Sequence, residues 1–125
     1  MKKNYKVQLQ EDKFVDYTGE LRDFTVCAIT KMIDNGKERI KSLDIGIAVR
    51  SPEDSWDKEL GERIAEGKAL KRPVLQLLAS EPFAFDTAVV AAHIESVCRY
   101  FKKDPGMFIP GYNKWRERWE SMDEG

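Results

Sequence analysis

The chain is short of the residues that most enzymes and metal sites are built from. It holds one histidine and two cysteines in 125 residues, and its 21 Lys and Arg nearly balance 22 Asp and Glu. A single histidine, His93, cannot build a histidine-rich metal centre, and its place beside an apolar helical stripe reads as a half-buried imidazole rather than a general base. Cys27 and Cys98 lie far apart in sequence, and neither belongs to a C-x-x-C pair. They are expected to be reduced core thiols, as suits a reducing compartment. The formal net charge of -1 lacks the basic excess with which a general duplex-DNA binder displaces counterions, so nucleic acid is an unlikely partner unless a local patch supplies it. No apolar run approaches the ~20 residues of a membrane span, and Met1-Lys2-Lys3-Asn4 leads into a polar strand rather than a signal-peptide core. No membrane partner is expected, and the expected location is the cytoplasm. Glycine-rich phosphate loops, H-E-x-x-H and paired cysteine ligands are all missing. The expectation is a protein without catalysis, metal or cofactor.

What is present suits a globular domain. Hydrophobic residues make up 42% and charged residues 34% of the chain, enough for one core and one domain over residues 1–125. Tyr5, Val7 and Leu9 alternate with Lys6, Gln8 and Gln10 at the strand period, and Phe14, Val15 and Tyr17 suggest a second short strand. Residues 24–29 are nearly continuously apolar and β-branched, as in a central strand covered on both faces. Asp34-Asn35-Gly36 is a hairpin signal that returns the chain antiparallel. In the next strand, residues 43–50, Leu43, Ile45, Ile47 and Val49 point one way, and Asp44, Gly46, Ala48 and Arg50 line a shallow trough on the other.

The pattern then turns helical. Ser51-Pro52-Glu53-Asp54 offers a capping serine, a proline for the first turn and two acids, and predicts a helix from Asp54 to about Ala69. Trp56, Leu60, Ile64 and Gly67 share one face, with Gly61 and Ala65 beside them. Glycines on a buried helix face imply close approach of another backbone, for which the Gly46 and Ala48 trough is the expected receiver. Residues 73–80 fit either a strand or a short helix. Asp86 caps a further helix whose stripe is Val90, Ile94, Val97 and Phe101, ended by Pro105-Gly106. A last helix begins near Pro110-Gly111 with Tyr112, Trp115, Trp119 and Met122 on one face. The fold class is therefore α+β: an N-terminal antiparallel meander packed with two or three helices.

Candidate ligand groups are basic and aromatic. Arg50 ends a strand on the trough face, Lys68, Lys71 and Arg72 crowd the end of the first helix, and Arg116 and Arg118 lie among tryptophans. Guanidinium forks match phosphate oxygens and aromatic faces stack on a base, which together suit a phosphorylated nucleoside. Lys68, Lys71 and Arg72 are equally well explained as complements of the helix dipole. At the other end of that helix Glu53, Asp54 and Asp57 occupy the positive pole and would repel an anion. The Tyr112, Trp115 and Trp119 stripe fits a core, a pocket wall or, most readily, a face between subunits.

The run Ile47-Ala48-Val49-Arg50-Ser51-Pro52-Glu53-Asp54, followed by Leu60-Gly61, Ile64-Ala65 and Gly67-Lys68-Ala69-Leu70-Lys71, resembles a motif of small phage proteins. It is similar to the I-x-x-R-S-P-x-D strand exit and G-x-x-I-A-x-G-[KR]-A helix of the phage Thoeris anti-defence sponge family. Members of that family sequester the cyclic ADP-ribose signal made by bacterial TIR proteins, and some relatives are thought to hold other cyclic oligonucleotides. The resemblance implies a homodimer or higher homo-oligomer in the cytoplasm of an infected bacterial host, with a recessed pocket at a subunit interface that closes over a cyclic nucleotide signalling molecule without cleaving it. Arg50 and Lys68 carry over with the motif. Lys68 stands where an arginine is common, which weakens bidentate phosphate binding there. Phe85 and Tyr100 are candidates for the base-stacking aromatic, and Arg116 or Arg118 for a C-terminal arginine; Arg72 joins the set from the basic helix end. The alternative is a phage accessory protein that binds nucleic acid or a host protein through its C-terminal aromatic helix.

Overall fold

The computed structural model describes residues 4–34, 39–51, 55, 57–81 and 84–123. Four strands run in the order β1-β2-β3-β4, every neighbouring pair antiparallel. β1 is Tyr5–Val15, β2 is Leu21–Asp34, β3 is Arg39–Val49 and β4 is Leu75–Ala79. The helices are α1 (Lys58–Lys71), α2 (Thr87–Lys103) and α3 (Tyr112–Asp123), with a short 3₁₀ turn at Pro105–Met107. The expected α+β meander is what the chain forms. Residues 73–80 resolve as strand, because Leu75 and Leu77 pair with Ile45 and Leu43 across β3. The strand read at 5–10 and Phe14 and Val15 of the second short strand form one element, since β1 runs unbroken along β2 from Tyr5↔Lys31 to Val15↔Leu21, and Tyr17 lies in the turn that follows. The turn read at Asp34-Asn35-Gly36 lies outside the described residues from Asn35 onward.

The sheet is covered on both faces, which is why its central strands are apolar on both. On one face Phe24, Val26 and Ala28 of β2 and Leu43, Ile45 and Ile47 of β3 pack against Val90, Ile94, Val97 and Phe101 of α2. Phe24 stacks on Phe101 at 4.3 Å between ring centroids, and Phe14 meets the same ring edge-on at 4.9 Å. This is the stripe expected of α2, and Asp86 caps the helix by accepting from the Val89 N–H.

On the other face Cys27, Ile29 and Ala48 pack beneath Ala65 and Ala69 of α1. The trough is real: a Cβ built on Gly46 would stand 2.5 Å from the Ala65 carbonyl oxygen and 2.9 Å from the Ala69 Cα. The helix that fills it is rotated and shorter than expected. Its buried residues are Gly61, Ala65 and Ala69, while Leu60 and Ile64 are exposed and a Cβ on Gly67 would meet open space. Small residues at spacing four let α1 sit close to β3, and the larger residues cannot share that face. Asp57, not Ser51, caps α1, its carboxylate accepting from the Glu59 and Leu60 N–H groups. Pro52, Glu53, Asp54 and Trp56, which the helical reading included, lie outside the described residues.

Candidate functional site

β4 is short, and the site follows from that. Its ladder with β3 ends at Ile45↔Leu75, so beyond Ile45 the outer edge of β3 has no strand beside it among the described residues. There the chain leaves α1 through Arg72 and Pro73, and the 3₁₀ turn and start of α3 approach from the opposite face of the sheet. Between them opens a cleft of about 750 Å³, within the size range of small-molecule sites. Ile47 and Val49 form its floor. Lys68, Arg72 and Val74 stand on one side and Phe108, Ile109, Pro110 and Trp115 on the other, with Tyr17, Arg22 and Ser51 at the end.

Arg22 is the buried cation of this cleft. Its Nε and Nη2 both donate to the Arg50 carbonyl oxygen, at 2.9 and 2.6 Å. Its Nη1 lies 3.8 Å from the Asp16 carboxylate, the two side chains being 7% and 2% exposed, and its guanidinium sits 5.3 Å from the Phe14 ring centroid. Asp16 is itself held, accepting from the Thr18 hydroxyl and from the Thr18 and Glu20 N–H groups. A guanidinium fixed from three sides keeps its remaining donor capacity in one direction, which is how a preorganised anion contact is made. Lys68 and Arg72 are exposed, and neither has an ion-pair partner among the described residues. None of the described residues lining the cleft is acidic.

Aromatic groups complete it. Trp115 is 47% exposed, and its indole lies against Gly111: a Cβ there would come within 3.1 Å of the ring, and the backbone has φ +82°, so the position suits glycine twice over. Tyr17 packs edge-on against Tyr112 with centroids 5.2 Å apart and lies 6.1 Å from Trp119. Tyr112 is buried beside them. Its burial raises the phenol pKa, with Asp16 adding to this and the Tyr17 backbone, Arg22 and Arg116 opposing it.

Of the ligand-binding candidates read from the sequence, Lys68 and Arg72 face this cleft, whereas Arg50, Phe85, Tyr100, Arg116 and Arg118 do not line it. Arg50 serves it through its carbonyl alone. Its guanidinium turns back along the sheet to Leu21 O at 3.1 Å, Glu20 at 3.4 Å and Asp23 at 3.6 Å, because it shares a sheet face with Asp23, its register partner across from β2. Phe85 packs half-buried against the main core. Tyr100 and Arg116 line a separate, open groove with Lys103, Asp104 and Met107, where Arg116 also reaches Glu120 at 4.0 Å. Arg118 lies on the outer side of α3 with Lys114 and Glu117. His93 is half-buried on α2, and both cysteines are buried and not joined in a disulfide.

Sequence reasoning missed Arg22, Ser51, Tyr17 and Phe108 as one site with Trp115, for which a pocket wall was one of three readings. Arg22 carried a signal: it shares its strand face with Phe24 and Val26, and a cation on a core-facing position demands buried partners. The other groups come from four separate stretches of chain, and no local pattern links them. Among the described residues no cluster of His, Cys, Asp and Glu could hold a metal ion, and no helix is long and apolar enough to cross a membrane. No family model, curated protein or solved structure matches the chain.

Proposed function

We propose that this chain is a non-catalytic binding protein that captures a phosphorylated nucleotide in the cleft at the open end of β3. The observation that carries the reading is the convergence of Arg22, Lys68 and Arg72 with Tyr17, Phe108 and Trp115 on one cleft of about 750 Å³, with no acidic residue among the described residues of its lining. Cations suit the phosphates and aromatic faces suit the base. Among the described residues the lining offers a serine hydroxyl and no carboxylate, histidine or thiol.

With the resemblance to the phage sponge proteins, the specific ligand proposed is a cyclic ADP-ribose isomer or a related cyclic nucleotide immune signal, sequestered in the cytoplasm of an infected bacterium. A second copy of the chain is the proposed partner. Trp115, which lines the cleft, is 47% exposed, and Trp119 and Met122 further along α3 are 43% and 71% exposed, an apolar surface for a second copy to cover. The same exposed helix supports the second reading, an accessory protein docking nucleic acid or a host protein. Salt separates the two, since a phosphate-tracking contact weakens steeply with ionic strength and a ligand enclosed in a cleft responds far less.

The test is to incubate the purified protein with nucleotide products of a TIR enzyme, remove free ligand and heat-denature. Intact compound should reappear in near-stoichiometric amount, and the Arg72→Ala variant should release much less. Release of a hydrolysed product would make the protein an enzyme, and release of nothing would remove the capture reading.

A further inference from the structure

The floor of the cleft is a strand edge to which, among the described residues, nothing is hydrogen-bonded beyond Ile45. In an antiparallel strand the N–H and C=O of one residue point to the same side, and successive residues alternate. Arg50 N–H donates to Asp23 O at 2.9 Å, on the β2 side, and Ile45 O accepts from Val74 N–H at 2.8 Å, on the outer side. The parity therefore turns the backbone groups of Ile47 and Val49 outward, into the cleft that both residues line. The ladder with β4 stops at Ile45, and among the described residues no hydrogen-bond partner meets these outward groups. Ile47 is 4% exposed. Buried backbone donors and acceptors are almost always paired, so an unpaired set on the floor of a cleft marks where a ligand or water completes the pairing.

We infer that this edge reads the base. The Ile47 carbonyl accepts from, and the Val49 N–H donates to, the donor–acceptor edge of an aminopyrimidine ring, while Arg22, Lys68 and Arg72 hold the phosphates. The inference rests on the nucleotide-binding reading of the same cleft and adds the feature that selects the base. The assignment to a ring rather than an extended peptide follows from the surroundings: cations crowd the same cleft, and among the described residues only the short stretch from Ile47 to Val49 is uncovered. That offers too little ladder for a strand but enough for one ring edge. It also explains why β4 is short, because a longer β4 would pair the groups the ligand needs.

The test uses adenosine diphosphate, 1-deaza-adenosine diphosphate, N6,N6-dimethyl-adenosine diphosphate and inorganic pyrophosphate, titrated by calorimetry. Each modified base removes one of the two hydrogen bonds and should bind about tenfold more weakly than adenosine diphosphate, as loss of one such bond with its partner left unpaired implies. Val49→Pro removes only the outward N–H, at a position where an unpaired strand edge tolerates proline. It should bind adenosine diphosphate about as weakly as the wild type binds the 1-deaza analogue, and should no longer distinguish the two. Equal affinity of the wild-type protein for all three nucleotides would overturn the inference, and the analogue series needs no variant to fold. Pyrophosphate keeps the two claims apart: if it binds and Arg72→Ala abolishes binding while the ring edge makes no difference, the anion site stands and the base reading falls.

Discussion

Gly46 is the residue on which the contact between α1 and the sheet depends. Its missing side chain lets the Ala65–Ala69 backbone of α1 lie directly on β3, and no rotamer can relieve a Cβ that meets backbone atoms. Gly46→Ala is expected to cost about 2 to 3 kcal/mol through overpacking, measured by urea unfolding. Gly67 is the opposite case. It is helical, half-buried and faces open space, so Gly67→Ala should stabilise by about 0.5 to 1 kcal/mol. Both glycines invite the same explanation when read as a pattern, and what separates them is helix rotation. The helical period placed Gly67 with the bulky face, whereas burial follows the smallest stripe, Gly61, Ala65 and Ala69, because only that stripe fits above Gly46.

At the scale of the element, the strand-to-helix connection shows how a start signal can be displaced. Ser51 and Pro52 have the composition of a cap and first turn, yet α1 begins at Lys58 behind Asp57. The serine is used instead in the cleft lining. Asp57→Ala should lower stability by about 1 kcal/mol, whereas Ser51→Ala should stay within about 0.5 kcal/mol of the wild type in the same unfolding experiment. α2, by contrast, was legible throughout: Asp86 caps it and Val90, Ile94, Val97 and Phe101 are its buried stripe. Its wide apolar face had only one way to be covered. α3 keeps one buried residue, Tyr112, and otherwise presents its tryptophans half-exposed, which is why three uses of that helix were compatible with its pattern.

For the molecule as a whole, the core on the α2 side has an alkaline limit. Burial pushes the Cys98 thiol up to about 11 from an ordinary 9.0, with Asp12 adding to the rise, Lys102 opposing it and Glu95 adding a little more. A thiol that holds its proton more tightly when folded leaves the unfolded chain to ionise first. Its contribution is therefore undiminished below about pH 9 and is lost as pH climbs towards 11. Tyr112, raised by burial in the same core, acts in the same direction. Unfolding midpoints should be level near pH 8 and fall above pH 9, and Cys98→Ala should shallow that fall; a profile unchanged by the substitution would exclude Cys98 as its cause. The sequence by itself determined the antiparallel meander, the α2 core stripe and the receiving trough at Gly46, because hydrophobic period and small-residue placement are local properties of the chain. Tertiary structure alone decided which arginine faces the cleft. Arg22 and Arg50 sit on opposite faces of neighbouring strands, and the partners that hold Arg22 inward and draw Arg50 away, Asp16, Asp23 and the Arg50 carbonyl, come together only when the strands are in register.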